Sequence, residues 1–418
     1  MLHARRSRRR PWWPAVLLGV AGLQAVAAPL TLEEALRLAG QNAPSLATQD
    51  ARIEAARQSV IPAGALPDPK LVTGLEGFPV SGPNRFSVTR DNFTMLRIGL
   101  MQDVPNGDKR RARVNVAESR LARSETEREI ERLTVRQETA AAWIKRRTVE
   151  KKLVLFGSLV RENQLLADAV QARIAGGRGM AADAVLPRQE AALLAERQDD
   201  LEAQRQQAIA GLRRWIGVDG DAPLAGDLPT WPVSRTAFLS HLHHHPILAA
   251  FAPQGQLLDA EVREAQAAKK PDWTVEFDYQ RRDERFGDMV TLQFKVDLPL
   301  FAAHRQDPQI AAKRAERLGL ESERESMTRA HLEKLEMELA EYERLERAFN
   351  RQHETLLPLA REKAELTLAA YRSGKTELTA VLAARRERLD EQLKLIDLQG
   401  QQSQIAARLH LAYGEQYQ

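Results

Sequence analysis

Four histidines, His241, His243, His244 and His245, fall within five positions just ahead of Pro246. Imidazoles at that density could hold a transition metal. No carboxylate stands at ligand spacing beside them, so the run also reads as a surface helix end, and no metal site is assigned. A second set of polar residues alternates with apolar ones: Glu276 and Asp278 in WTVEFDYQR, and Thr291, Gln293 and Lys295 in VTLQFKVDLP. Its chemistry is that of a wetted wall rather than a reaction centre. The chain contains no cysteine, which excludes disulfides, a thiol nucleophile and zinc–thiolate ligation. It carries no H-E-x-x-H and no G-x-S-x-G, and Gly176-Gly177-Arg178-Gly179 lacks the Lys-Ser/Thr of a phosphate loop. Neither an enzyme nor a cofactor is called for.

The elements carrying those polar residues are strands. Trp273, Val275, Phe277 and Tyr279 alternate with the acids on one segment, and Val290, Leu292, Phe294, Val296 and Leu298 with the polar residues on the next. A period of two puts the apolar set on one face and the polar set on the other. Segments of about ten residues suit a tilted membrane-crossing strand. Leu96, Ile98, Leu100 and Val104 alternate in a stretch near 93–104, and a weaker strand is expected near 70–78.

The N-terminus has its own logic. Arg5, Arg6, Arg8, Arg9 and Arg10 precede an apolar run, and Ala25-Val26-Ala27 follows as a small-residue cleavage site, the pattern of a secretory signal peptide over 1–27. It holds five of the 61 basic residues and no acid, so the remainder is near neutral, with 56 basic against 57 acidic side chains. The basic balance leaves with the signal, and with it the case for nucleic acid. No apolar run of about 18 residues follows, so no transmembrane helix is expected.

The rest reads as a duplication. Asn42-Ala43-Pro44-Ser45-Leu46 is echoed by His244-His245-Pro246-Ile247-Leu248, Asp103-Val104-Pro105 by Asp297-Leu298-Pro299, and Arg173-Ile174-Ala175-Gly176-Gly177 by Ala370-Tyr371-Arg372-Ser373-Gly374. Each unit runs helix, strand, strand, long helix, short helix. The first spans 28–217, a Pro-rich segment 218–235 links them, and the second spans 236–418. The long helices, 109–172 and 309–372, have 64 residues each and would be roughly 96 Å long. Asp108 is expected to cap the first, and Pro308 to stand at the first position of the second. Shorter helices near 31–61, 182–216, 236–268 and 377–413 stack in pairs to match the long ones, and alanine-lined stripes imply coiled-coil packing. Pro358 should kink the second long helix.

Four strands with an apolar face cannot seal a membrane barrel, which needs about eight, and open edges in lipid are costly. The expected fold is therefore mainly α with a small β part: a helical coiled-coil barrel continuous with a transmembrane β-barrel completed by trimerisation. Leu96, Ile98, Leu100, Trp273, Val275, Phe277, Tyr279, Val290, Leu292, Phe294 and Val296 would face lipid. Glu276, Asp278, Thr291, Gln293 and Lys295 would face the lumen.

In this order and duplicated, these signatures resemble the TolC-like outer-membrane channels of efflux pumps and type I secretion systems. The run Gly64-Ala65-Leu66-Pro67-Asp68-Pro69-Lys70-Leu71 looks like the heavy-metal efflux branch. The resemblance implies an outer-membrane homotrimer with a helical tunnel across the periplasm, acting as an exit duct. An adaptor protein and an inner-membrane pump would engage turns at 173–183 and 371–378. Arg173, Gly177, Arg178, Asp183, Tyr371, Arg372, Gly374, Lys375 and Glu377 would form that tip and its gate, with Asp183 and Arg372 among the latching charges. A periplasmic adaptor-like coiled-coil protein, or a type I secretion duct, is the alternative.

Overall fold

The structure, a computed structural model, describes residues 29–177 and 179–414. The expected signal segment 1–27 and Arg178 lie outside the described residues.

Helices α1 (Leu32–Asn42) and α2 (Pro44–Ala63) lead into strands β1 (Lys70–Glu76) and β2 (Met95–Val104). Helix α3 (Gly107–Ala175) then runs unbroken for 69 residues, about 100 Å at ~1.5 Å per residue. A short 3-10 turn precedes α4 (Leu186–Ile216). The second unit begins with α5 (Arg235–Ser240), α6 (Pro246–Ala249) and α7 (Phe251–Ala267), followed by β3 (Trp273–Arg281) and β4 (Met289–Val296). Helices α8 (Gln306–Arg351) and α9 (Leu357–Arg372) are joined through a π turn at Gln352–Leu356, and α10 (Leu378–Tyr413) closes the chain.

Several local expectations are corrected. The helix expected over 31–61 breaks at Ala43, where Pro44 cannot donate and starts a new helix at its first position. The one expected over 236–268 is cut into three, first by the histidine run and Pro246 and again at Ala250. Asn106, not Asp108, caps α3: its Oδ1 accepts from Lys109 N at 2.8 Å, and Asp108 sits in the first turn. Helix α8 starts at Gln306, two residues before Pro308. Pro358 does perturb its helix, and the π turn just ahead of it is the form the perturbation takes. A proline ring crowds the carbonyl four residues back, and widening the turn relieves that clash.

Helix α3 is the spine. Helices α2 and α7 pack on its sheet-proximal part, α4 and α10 on the distal part, and α7 and α10 bridge to α8 and α9. Small residues set the spacing: Ala112, Val116 and Ala117 on α3 are buried, and Val116 clusters with Leu257 and Ala260 on α7. The largest cluster lies mid-molecule, where Trp143 and Ile144 meet Leu30, Leu32, Leu212, Ile216, Leu228 and Leu411. There Leu30 pairs with Leu224, and Trp143 donates to the Leu30 carbonyl at 3.1 Å. Arg146, 1% exposed, anchors the linker by donating to the carbonyls of Gly220 (2.6 Å) and Ala222 (2.9 Å) and to Glu150 (2.8 Å).

The four strands form one antiparallel sheet in the order β1-β2-β3-β4. Its central pair joins the two units, Leu96 opposite Arg281 through Val104 opposite Trp273. Among the described residues no helix is long and apolar enough to cross a membrane.

Candidate functional site

The sheet is inverted relative to a water-soluble one. Leu96, Ile98, Leu100, Trp273, Phe277, Tyr279, Val290, Leu292, Phe294 and Val296 are 41–64% exposed on one face, with Val275 half-buried in the same row. On the other face Glu276 and Asp278 are 2% and 1% exposed. Register aligns the rows, since Leu100 pairs with Phe277 and Phe277 with Leu292. Leu71 and Leu75 on β1 extend the apolar face.

The polar face is held by charge. Arg97 Nε and Nη2 donate to Asp278 Oδ1 and Oδ2 at 2.8 and 2.9 Å, the planar fork matching the carboxylate. Arg97 also pairs with Glu276, whose second oxygen accepts from Lys295 Nζ at 2.5 Å. Gly99 stands opposite Asp278. A Cβ there would strike the Asp278 carboxylate and the Phe277 carbonyl, so the glycine makes room for the ion pair. Thr291 is half-buried and Gln293 exposed in the same polar row. Arg97 and Gly99 escaped the sequence reading, although both alternate with Leu96, Ile98 and Leu100 and so announce their face by parity.

At the far end of the long helices the two units turn alike. Helix α3 ends with Gly177 at φ +70° and α9 with Gly374 at φ +74°, a left-handed conformation that closes a helix and favours glycine. Arg173 Nη1 donates to the Tyr371 carbonyl at 2.8 Å, and its guanidinium lies over the Tyr371 ring. Tyr371 packs among Leu166, Val170, Leu378, Val381 and Leu382. Asp183 accepts from Met180 N at 3.2 Å within its own turn, while Arg372, Lys375 and Glu377 are exposed. Behind the turns Arg386 on α10 clasps Glu190 on α4, its Nε 2.8 Å from the carboxylate.

The histidines do not converge. His241 Nδ1 lies 2.9 Å from the Tyr413 carbonyl and its ring meets His244 edge-on, while His243 and His244 are exposed. His245 turns inward, its ring centroid 4.5 Å from that of His331 and 5.3 Å from that of Tyr413. Burial, then His331 and Lys334, lowers the His245 pKa to about 4; burial pushes the Tyr413 phenol up to about 12. Among the described residues no group of three or more His, Cys, Asp or Glu could hold a metal ion.

An apolar-out, charge-in sheet carried on a helical bundle with an α3 spine of about 100 Å has the pattern of a membrane-embedded wall rather than of a water-soluble sheet. Residues 35–218 and 240–415 match the outer membrane efflux protein family. The chain belongs to that family. It is 25% identical over 401 residues to the cobalt-zinc-cadmium resistance protein CzcC of Cupriavidus metallidurans, covering 93% of this chain and 91% of the relative. Its fold is similar to that of CusC, with a TM-score of 0.78, 16% identity, and 98% and 99% of the two chains covered. It is also similar to the outer membrane protein VceC of Vibrio cholerae, with a TM-score of 0.73, 20% identity, and 93% and 97% covered. This outer membrane efflux protein is thus an efflux channel of the outer membrane with a periplasmic helical tunnel, and its family is one of transport.

Proposed function

We propose that three copies of this efflux protein join edge to edge into a twelve-stranded barrel and a continuous helical tunnel, forming a passive duct for a pump and adaptor. The inversion of the sheet supports this reading. The apolar rows of all four strands face lipid, and the polar row of Glu276, Asp278, Thr291, Gln293 and Lys295 is on the lumen side, with the two carboxylates covered by Arg97 and Lys295. Strands β1 and β4 are the sheet's edges, and unpaired backbone groups in hydrocarbon cost several kcal/mol each. Twelve strands leave an aqueous lumen where eight would pack shut. Leu318 (71% exposed), Met337, Leu359 and Leu366 along α8 and α9 are apolar and uncovered within one chain, as helix faces awaiting a neighbour would be.

The glycine-closed turns, with Arg173, Asp183, Tyr371, Arg372, Lys375 and Glu377, form the periplasmic tip that meets the adaptor. The name of the C. metallidurans relative supports divalent heavy-metal cations as cargo. Purification of the detergent-extracted protein is the test: a particle of three chain masses that conducts in planar bilayers is expected, and a water-soluble monomer would overturn the reading. Loss of cobalt, zinc or cadmium tolerance in a deletion strain checks the cargo; unchanged tolerance would refute it.

A further inference from the structure

The sheet has two unlike ends. At one, β2 passes into α3 and β4 leads on to α8; at the other lie the loop 77–94 between β1 and β2 and the turn 282–288 between β3 and β4. Those two connections are tied into one cap remote from the helices. Arg285 Nη2 donates to the Thr89 carbonyl at 2.7 Å and Arg282 Nη1 to the Asn92 carbonyl at 3.4 Å, while Arg282 Nη2 braces its own turn by donating to the Phe286 carbonyl at 2.6 Å.

We propose that this cap binds the phosphate groups of membrane lipid through Arg281, Arg85 and Arg90. The inference rests on the barrel reading above. Arg281 continues the row of Trp273, Val275, Phe277 and Tyr279, so it emerges on the lipid side where the apolar rows stop. Nine residues from Trp273 to Arg281 span roughly 26 Å along the strand, about 20 Å across the bilayer at a tilt near 40°. That is shorter than the ~25 Å apolar band usual for such barrels, which brings Arg281 to headgroup depth rather than clear of the membrane. Phe78, Val80, Phe86, Val88 and Phe93 on the cap are exposed. They prolong the apolar surface past the strands with side chains suited to the interface.

The charges at this end are unequally engaged. Asp288 accepts from the Tyr279 hydroxyl and from Arg282 N, Asp283 pairs with Arg285, and Asp91 accepts from Phe93 N at 2.9 Å. Glu284 and Glu76 are the acids left over, and Glu76 faces Arg97 through space. The guanidinium groups of Arg281, Arg85 and Arg90 have no ion pair or hydrogen bond among the described residues; Arg281 feels Asp288 only through space. Three free guanidinium groups at the apolar end of the sheet match a phosphorylated headgroup in charge and hydrogen-bonding chemistry.

The experiment reconstitutes the full-length protein into phosphatidylcholine vesicles and titrates in diphosphorylated lipid A, its dephosphorylated form, or inorganic phosphate. Trimer thermal stability and native mass spectrometry report binding. The wild type is expected to bind phosphorylated lipid A and be stabilised by it. Each of R281Q, R85Q and R90Q should weaken that binding about fivefold, and R281K should retain most of it. Equal binding of the dephosphorylated lipid, equal effect of free phosphate, or undiminished binding by the triple variant would overturn the proposal. Insertion and trimerisation in phosphatidylcholine alone test the barrel: their failure overturns both readings, whereas intact insertion without phosphate preference overturns this one alone.

Discussion

The guanidinium of Arg173 lies 4.2 Å from the centroid of the Tyr371 ring while donating a hydrogen bond to the Tyr371 carbonyl. The two residues are 198 positions apart and occupy corresponding turns of the two units, so this contact ties one tip to the other inside a single chain. A half-buried cation–π contact and a charged hydrogen bond together are worth about 1–3 kcal/mol.

If that tie holds the tip closed, R173Q should raise single-channel conductance in planar bilayers, and a double substitution with Asp183→Asn should raise it no less. Conductance equal to the wild type in both would remove the tip as a gate.

Arg97 compensates two carboxylates that water hardly reaches within the chain. R97L leaves Glu276 sharing only Lys295 and Asp278 without its fork, a loss of about 3–5 kcal/mol for a buried pair. Gly99→Val should act similarly by displacing Asp278. Both are expected to deplete the heat-resistant oligomer on detergent gels, with helix content by circular dichroism preserved because the bundle does not depend on this pair. Oligomer at wild-type level would show that the lumen charge set is dispensable.

His245 supplies a pH prediction. It is buried against His331 and Tyr413, with Lys334 and, beside Tyr413, Glu338 as the charged groups on α8. Its pKa falls from the ordinary 6.5 to about 4 in the fold. Between those values the unfolded chain binds the extra proton, so stability falls as pH drops through that window and levels off below it. The effect is about 3 kcal/mol for this residue. H245F should flatten that limb of a melting-temperature profile between pH 7 and 4; an unchanged slope would mean that other groups carry it.

Arg146 donates to two carbonyls of the linker from a fully buried position. R146M strands those carbonyls and leaves Glu150 with only the longer pairs to Arg147 and Arg205 at 4.0 Å, and should cost about 2–4 kcal/mol. Limited proteolysis should then cut within 217–235 first; cleavage there at the wild-type rate would sink this account of the clamp.

Two periodicities made most of this architecture legible without coordinates. Alternation at 273–279 and 290–296 separates an apolar from a polar row whatever surrounds the strand, because side-chain direction in a strand is local. The duplicated Gly-containing turns and the proline-free stretch from Lys109 to Arg173, interrupted only by Gly157, likewise marked the helix ends and the spine. Pairing across the chain was not local. That Arg97 would bridge Glu276 and Asp278, that Gly99 would vacate space for a carboxylate 179 positions away, and that His245 would turn inward from its neighbours all depend on which strands and helices become adjacent. The same holds for Asn106, whose capping role arises because Asp272 from the second unit holds its backbone N–H at 2.7 Å. Sequence alone determined the strands, their faces and the order of helix and strand in each unit, since these follow from backbone geometry and the spacing of apolar residues. Only the tertiary structure decided which charges meet, because an ion pair exists by proximity, and here proximity is created by packing two copies of one unit against each other.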